Sequence, residues 1–204
     1  MPVSREKILL SIMILSIPSR IEQYLVPLYN KLLKQSNNID SVEILCLIDN
    51  KSMSIGEKRQ AILNSARGKW VGFIDDDDDI SDDYIKSLLE AVILHPDGDV
   101  FTFNQHCVVN GSEFVVNFSM NNPNERYIPG MQVVRRPPFH MCFWKSDIAK
   151  NTDFQDSSYG EDYNWCVKMY PKIQKEVHIP KYLHYYRYDD RISESIQYFK
   201  KEIQ

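Results

Sequence analysis

The chain has 204 residues, 43% hydrophobic and 25% charged, enough for one sizeable core and one domain. A formal net charge of −4 leaves no basic footprint for nucleic acid, and no apolar run approaches the roughly 20 residues of a membrane-spanning helix. The cysteines (Cys46, Cys107, Cys142, Cys166) form no C-x-x-C pair, which excludes zinc-ribbon spacing and points to reduced, mostly buried thiols in a cytoplasmic setting.

In chain order, Ile8 to Leu15 is a strand, since its apolar run leads to no small-residue cleavage site. It ends in the turn Ser16-Ile17-Pro18-Ser19-Arg20. A helix is expected from about Ser19 to Lys34, with Ile21, Tyr24, Leu25, Leu28 and Leu32 at helical spacing and a kink or break at Pro27. Val42 to Ile48 has the near-continuous apolar run of a parallel strand buried on both faces, and it stops at Asp49. Ser54 and Glu57 have capping-box spacing, so a second helix starts there, carries Lys58 and Arg59 early, and ends near Gly68. Cations in a first turn oppose the helix dipole, so they are either exposed or set to meet an anion.

Next comes the stretch around which the chain is organised. Trp70 to Ile74 is a short buried strand, and Asp75-Asp76-Asp77-Asp78-Asp79 follows without a break. Open α/β sheets bind ligands at the carboxyl ends of their strands, where these aspartates fall. Carboxylates crowded there need a counter-charge, and a hard divalent cation with oxygen ligands supplies one. A solvated acidic turn or helix start would have the same composition. Ser81-Asp82-Asp83 then caps a helix running to the break at Pro96. The order β-α-β-α-β-α is that of a parallel sheet with helices on both faces.

The second half changes character. Val100 to Phe103 is a strand, and Asn110-Gly111 between apolar runs marks a hairpin. Ser119 to Gly130 is a polar, mobile loop, Arg135 to His140 an extended connector, Met141 to Trp144 a strand and Ser146 to Ala149 a helical turn. Gly160 to Tyr170 is a helix led by Glu161 and Asp162; Val177 to Ile179 and Tyr182 to Tyr188 are strands, and Ser193 to Ile203 a short tail helix. His140, Trp144, Tyr159 and Trp165 flank the acidic pair, either as sugar-stacking aromatics or as core.

In this order the motifs resemble those of the GT-A-fold nucleotide-sugar glycosyltransferases, and among them the large inverting family two. The resemblance rests on the Ser16 to Arg20 turn, Asp49 at a strand end, the helix Arg59 to Gly68, the D-x-D-D of Asp75 to Asp78, Gly160-Glu161-Asp162 preceded by Phe143-Trp144-Lys145-Ser146, and Tyr185-Tyr186-Arg187 with Ser193. It spans about Ile8 to Ser195. It departs from the family where Arg187-Tyr188-Asp189 stands for R-x-H, and where Gln60 stands for Asn.

The resemblance implies a mixed Rossmann-like sheet in one domain. Its half to about residue 104 would bind the nucleotide sugar, and the smaller half from about residue 105 to 204 the acceptor. It implies a Mn²⁺- or Mg²⁺-dependent transfer from a UDP-sugar to a glycan, protein or lipid-linked acceptor. It assigns nucleotide and donor contacts to Ser16, Ile17, Arg20, Asp49, Lys58, Asp75 and Asp76. Metal contacts fall to Asp75 and Asp77, with His184 or Asp189 completing the site. Asp162 would be the general base, supported by Glu161. Two other readings stay open: a nucleotidyltransferase on a similar sheet, which normally has a Gly-rich loop after its first strand, and a non-catalytic cation- or carbohydrate-binding module.

Overall fold

The apolar runs of the first half become parallel strands β1 (Leu10–Ser16), β2 (Val42–Ile48) and β3 (Trp70–Asp75), with β1 in the middle. The structure, a computed structural model, describes residues 8–188; Asp189 and the expected tail helix lie outside the described residues. The strand ends are level: Ser16 pairs with Ile48, and Leu15 with Asp75. Helix α1 (Val26–Ser36) joins β1 to β2, and α2 (Ile55–Ser65) joins β2 to β3.

Two local expectations change. Val42–Ile48 is not buried on both faces; it is the edge strand and stays half-exposed, because β1 takes the centre. Its Cys46 is exposed, while Cys107, Cys142 and Cys166 are buried and free. The first helix starts as a 3₁₀ turn (Pro18–Arg20) and a π-helical turn (Ile21–Leu25), and the regular helix begins only at Val26. Pro27 then sits in the first turn, where its missing N–H costs nothing.

After β3 the chain forms β4 (Asp79–Ile80) and α3 (Tyr84–Leu94), then β5 (Val100–Val109). The runs at Val100 and Cys107 are one long strand, and Asn110 and Gly111 turn it into β6 (Ser112–Phe118) with φ of 49° and 81°, as a type I′ turn requires. Val133–Arg136 is strand β7, parallel to β6, so the first two residues of the expected Arg135 to His140 connector belong to a strand. Then come β8 (Phe143–Lys145), α4 (Ser146–Lys150), α5 (Glu161–Met169) and β9 (Glu176–Tyr188). The sheet order is β2-β1-β3-β8-β5-β6-β7; β9 runs parallel along the other edge of β5 and carries β4 antiparallel to it. The expected α/β architecture, a mixed sheet with a parallel N-terminal half, is the one observed.

The core is aromatic at the seam between the halves. Trp144 and Trp165 are fully buried, so they are core and not sugar platforms. Trp165 stacks on Phe154 (centroids 4.5 Å apart) and meets Phe73 of β3 edge-on at 5.9 Å, which fixes α5 against the central strands.

At the opposite end of the strands from the aspartates, Glu43 clamps the parallel strands together. It accepts from Ser11 Oγ (2.6 Å), the Arg67 backbone N–H (2.6 Å) and Arg67 Nε (2.8 Å), while Ser11 Oγ accepts from Gly68 N–H (2.7 Å). Burial alone would raise the Glu43 carboxyl, but Ser11 and Arg67 outweigh it and hold it below the ordinary carboxylate range. A lowered folded pKa contributes stability that is complete above the unfolded value and is lost as pH falls through the folded one. Glu43→Gln should therefore cost about 1–3 kcal/mol at pH 7. The gap between wild type and variant in urea unfolding should narrow as pH drops below about 4, near the unfolded glutamate value; a gap independent of pH would show that the charge contributes nothing.

Candidate active site

The level ends of β1, β2 and β3 place Ser16, Asp49 and Asp75 side by side, and the expected site residues gather around them. Asp49 Oδ1 pairs with Lys58 Nζ at 2.8 Å, and its Oδ2 accepts from the N–H groups of Ser52 (2.8 Å) and Met53 (3.0 Å). Lys58, then the Met53 N–H and the Ser52 hydroxyl, hold its carboxyl far below the usual range. Asp76 is buried and satisfied within the chain: Ser16 Oγ donates to it at 2.5 Å, and Arg20 binds it through Nε (3.0 Å) and Nη2 (2.6 Å). The same Arg20 Nη2 reaches Asp77 Oδ2 at 2.8 Å. Ile17 is buried in the turn, and its carbonyl accepts from the Arg20 backbone N–H at 2.9 Å.

The aspartates alternate in environment as the chain turns from β3 into β4. Asp76 and Asp78 are buried, whereas Asp77 and Asp79 face solvent. Partial desolvation by the surrounding turn, with the charges of Asp75 and Asp76, lifts the Asp77 carboxyl despite Arg20 and although its tip reaches solvent; burial and the neighbouring aspartates lift Asp78 further. His184 on β9 is fully buried, with Nε2 3.3 Å from Asp78 Oδ2 and Nδ1 3.0 Å from the Gln105 amide nitrogen. Burial and the charge of His140 pull its pKa down to about 4, so it is neutral at pH 7. The β4–β9 pairing, Ile80 opposite His184, makes this contact. Among the described residues no three His, Cys, Asp or Glu groups form a ready metal cage. The negative surplus and the open Asp77 carboxylate nonetheless suit a hard dication that takes its other oxygens from a ligand and water.

Helix α2 is the bridge between the two halves. Its early cations meet the protein's own anions: Lys58 meets Asp49, and buried Arg59 meets Asp75 Oδ1 (Nη2, 3.0 Å) and Glu161 Oε1 (Nε, 3.2 Å). Gly56 allows the close approach this needs, since a Cβ there would lie 1.8 Å from the Gln155 carbonyl oxygen and its N–H donates to Ser157 O at 2.8 Å. Gln60, the departure from the family pattern, accepts from the Phe154 N–H at 2.9 Å and so tethers the same segment. Gly160 then takes a left-handed φ of 74° and starts α5 with Glu161 and Asp162.

His140 closes the arrangement. It is buried, with Nδ1 3.3 Å from Asp162 Oδ2 and Nε2 3.5 Å from Asp75 Oδ2, one carboxylate at each ring nitrogen. Burial and Arg59 oppose its charge, but Asp75 and Asp162 outweigh them and raise its pKa. Burial would likewise raise Asp162 and Asp75, and the cations Arg59 and His140 instead keep both low. Both are thus carboxylates at neutral pH. Beside them opens a cavity of about 280 Å³ whose lining includes Asp75, Asp78 and Asp162 together with Phe114, Phe118, Tyr127 and Phe139.

The acids gathered here all lie in the motifs singled out from the sequence, whereas two of the residues that connect them, Arg59 and His140, have no assigned role there. Arg59 carried a signal, as a cation near a helix start whose neighbour Glu57 is already committed to the capping box. His140 carried none beyond its place near Trp144, because its two partners come from strands and helices distant in the chain.

No protein-family model matches the sequence, and no curated protein matches it. Solved structures do resemble it. Staphylococcus aureus TarS superposes with a TM-score of 0.67 at 17% identity, covering 90% of this chain and 37% of TarS. TarS 1–349 in complex with UDP gives 0.68 at 19% identity (90% and 61% covered), and the UDP-GlcNAc complex 0.65 at 19% (89% and 59% covered). The chain thus spans between about a third and three fifths of the TarS chains it matches. The fold the sequence motifs point to, the GT-A type, is the fold this chain shares with TarS.

Proposed function

We propose that the chain carries the catalytic domain of a metal-dependent, inverting glycosyltransferase that moves a sugar from a UDP-sugar to a hydroxyl of a glycan, protein or lipid-linked acceptor. The observation that carries this reading is the convergence at His140: a strand-end acid, Asp75, and a helix-start carboxylate, Asp162, face one imidazole beside an open cavity. A cation-binding module needs the first acid and has no use for the second. The TarS structures with UDP and UDP-GlcNAc support the choice of donor class.

In this reading Asp49 and Lys58 line the base pocket, and Ser16, Ile17 and Arg20 form its floor, with Asp76 holding Arg20 in place. Asp75 and Asp77 would hold Mn²⁺ or Mg²⁺, with His184 and Asp78 closing the cluster behind them. When bound, the ion would neutralise the charge that collects on the departing diphosphate. Asp162 is ionised and oriented by His140, so it can take the proton of an acceptor hydroxyl as that oxygen attacks. A single base opposite the leaving group gives one displacement and inversion, by the geometry that separates inverting from retaining glycosidases. Glu161 acts through Arg59, which fixes the spacing between Asp75 and α5.

Calorimetry of UDP binding tests the metal half. Affinity should be higher with Mn²⁺ than in EDTA, and Asp77→Ala should remove that difference; equal affinity in both would overturn metal dependence. A transfer assay beside donor binding tests the base. Asp162→Asn should slow transfer about 10²–10⁴-fold and leave donor affinity nearly unchanged, the pattern of lost transition-state stabilisation. Transfer at the wild-type rate would remove Asp162 from the chemistry.

A further inference from the structure

The cavity beside Asp162 has an arginine in its lining with no ion-pair partner among the described residues. Arg136, on β7, is half-buried; its Nε is shut off from water without a hydrogen-bond partner, and its guanidinium has no ion pair among the described residues. Its nearest ring contact is loose, 6.0 Å to the Phe139 centroid. Among the other part-buried or buried arginines described, Arg20 pairs with Asp76 and Arg59 with Asp75 and Glu161; Arg126 and Arg187, which also have no ion pair among the described residues, are exposed and do not line the cavity. A part-desolvated guanidinium at the wall of a cavity suits a carboxylate or phosphate.

The rest of the cavity says what carries that anion. Ser16, Arg20, Asp49, Lys58, Asp76 and Asp77 do not line it, so it lies on the far side of Asp75 from the proposed nucleotide site. Its aromatic wall, where Tyr127 stacks on Phe114 (4.0 Å, 13°), suits the apolar face of a sugar ring. Ionised Asp75 and Asp162 also line the cavity, on either side of His140, which leaves Arg136 as the cation there without an acid of its own among the described residues. We propose that this cavity takes a sugar unit bearing a carboxylate or phosphate, held by Arg136, with its ring against the aromatic wall. The inference rests on the glycosyltransferase reading above. The charged unit is either the donor's transferred sugar or the acceptor, and the two are separable.

The experiment measures binding to wild type, Arg136→Gln and Arg136→Lys in the presence of Mn²⁺. Donor probes are UDP, UDP-glucose, UDP-galactose, UDP-glucuronate and UDP-galacturonate. Acceptor-side probes, added to the UDP-loaded protein, are glucose, glucuronate and glucose 6-phosphate. If the donor is charged, a UDP-uronate binds wild type about ten- to a hundredfold tighter than its neutral counterpart, the range of a charge-assisted hydrogen bond. If the acceptor is charged, glucuronate or glucose 6-phosphate binds the loaded protein and glucose does not. In either case Arg136→Gln loses the preference and Arg136→Lys, with charge but no fork, keeps part of it. A wild type without a preference for charged sugars overturns the proposal, as does a preference that survives in Arg136→Gln. Equal weakening of UDP itself by Arg136→Gln also overturns it, because the arginine would then serve the diphosphate. No UDP binding by folded wild type overturns the nucleotide-sugar reading and this proposal together, whereas UDP binding without an Arg136-dependent preference overturns this proposal alone.

Discussion

Burying Arg59 is the constraint on which the site depends. A guanidinium removed from water is costly, and it is tolerated only with good geometry to opposite charges. Here the partners are Asp75 at the end of β3 and Glu161 at the start of α5, at 3.0 and 3.2 Å, with the Phe73 ring under the guanidinium carbon at 4.9 Å. Removing either acid would leave a buried charge half-compensated, which costs about 3–5 kcal/mol in comparable pairs. The arginine thus sets the distance between the two halves of the chain, and the acids of the site inherit that distance.

The apolar scaffold serves the same end. Trp165 and Phe154 stack behind α5 and press on Phe73, so the strand that carries Asp75 and the helix that carries Asp162 share one rigid aromatic contact. The polar network alone would be soft, because the contacts of His140 are long at 3.3 and 3.5 Å. Packing supplies the stiffness and the charges supply the register.

The first half of the fold was legible because each strand and helix announces itself locally: apolar runs, the Ser54–Glu57 capping box and the break at Gly68. The acids were legible for the same reason, as they cluster in sequence. Burial of β2 was misjudged because an edge position depends on which strand takes the centre, and no single segment contains that information. β7 was missed because Val133 to Arg136 is short and ends in two arginines before Pro137. Its strand character comes from pairing with β6. His140 and Arg59 act through partners brought near only by folding, so their roles could be read only from distances.

The outer edge of β7 has a consequence for the molecule among its neighbours. A free strand edge is a template on which another chain can add a strand. On β7 that template is occupied: the Glu125 N–H donates to Arg135 O at 3.0 Å, and the Arg135 N–H donates to the Glu125 carboxylate at 2.7 Å. The chain then runs straight into Pro137 and Pro138, which have no N–H to offer. The loop between β6 and β7 therefore acts as a selvedge at Arg135, taking up the outward backbone groups of that residue that a further strand would need.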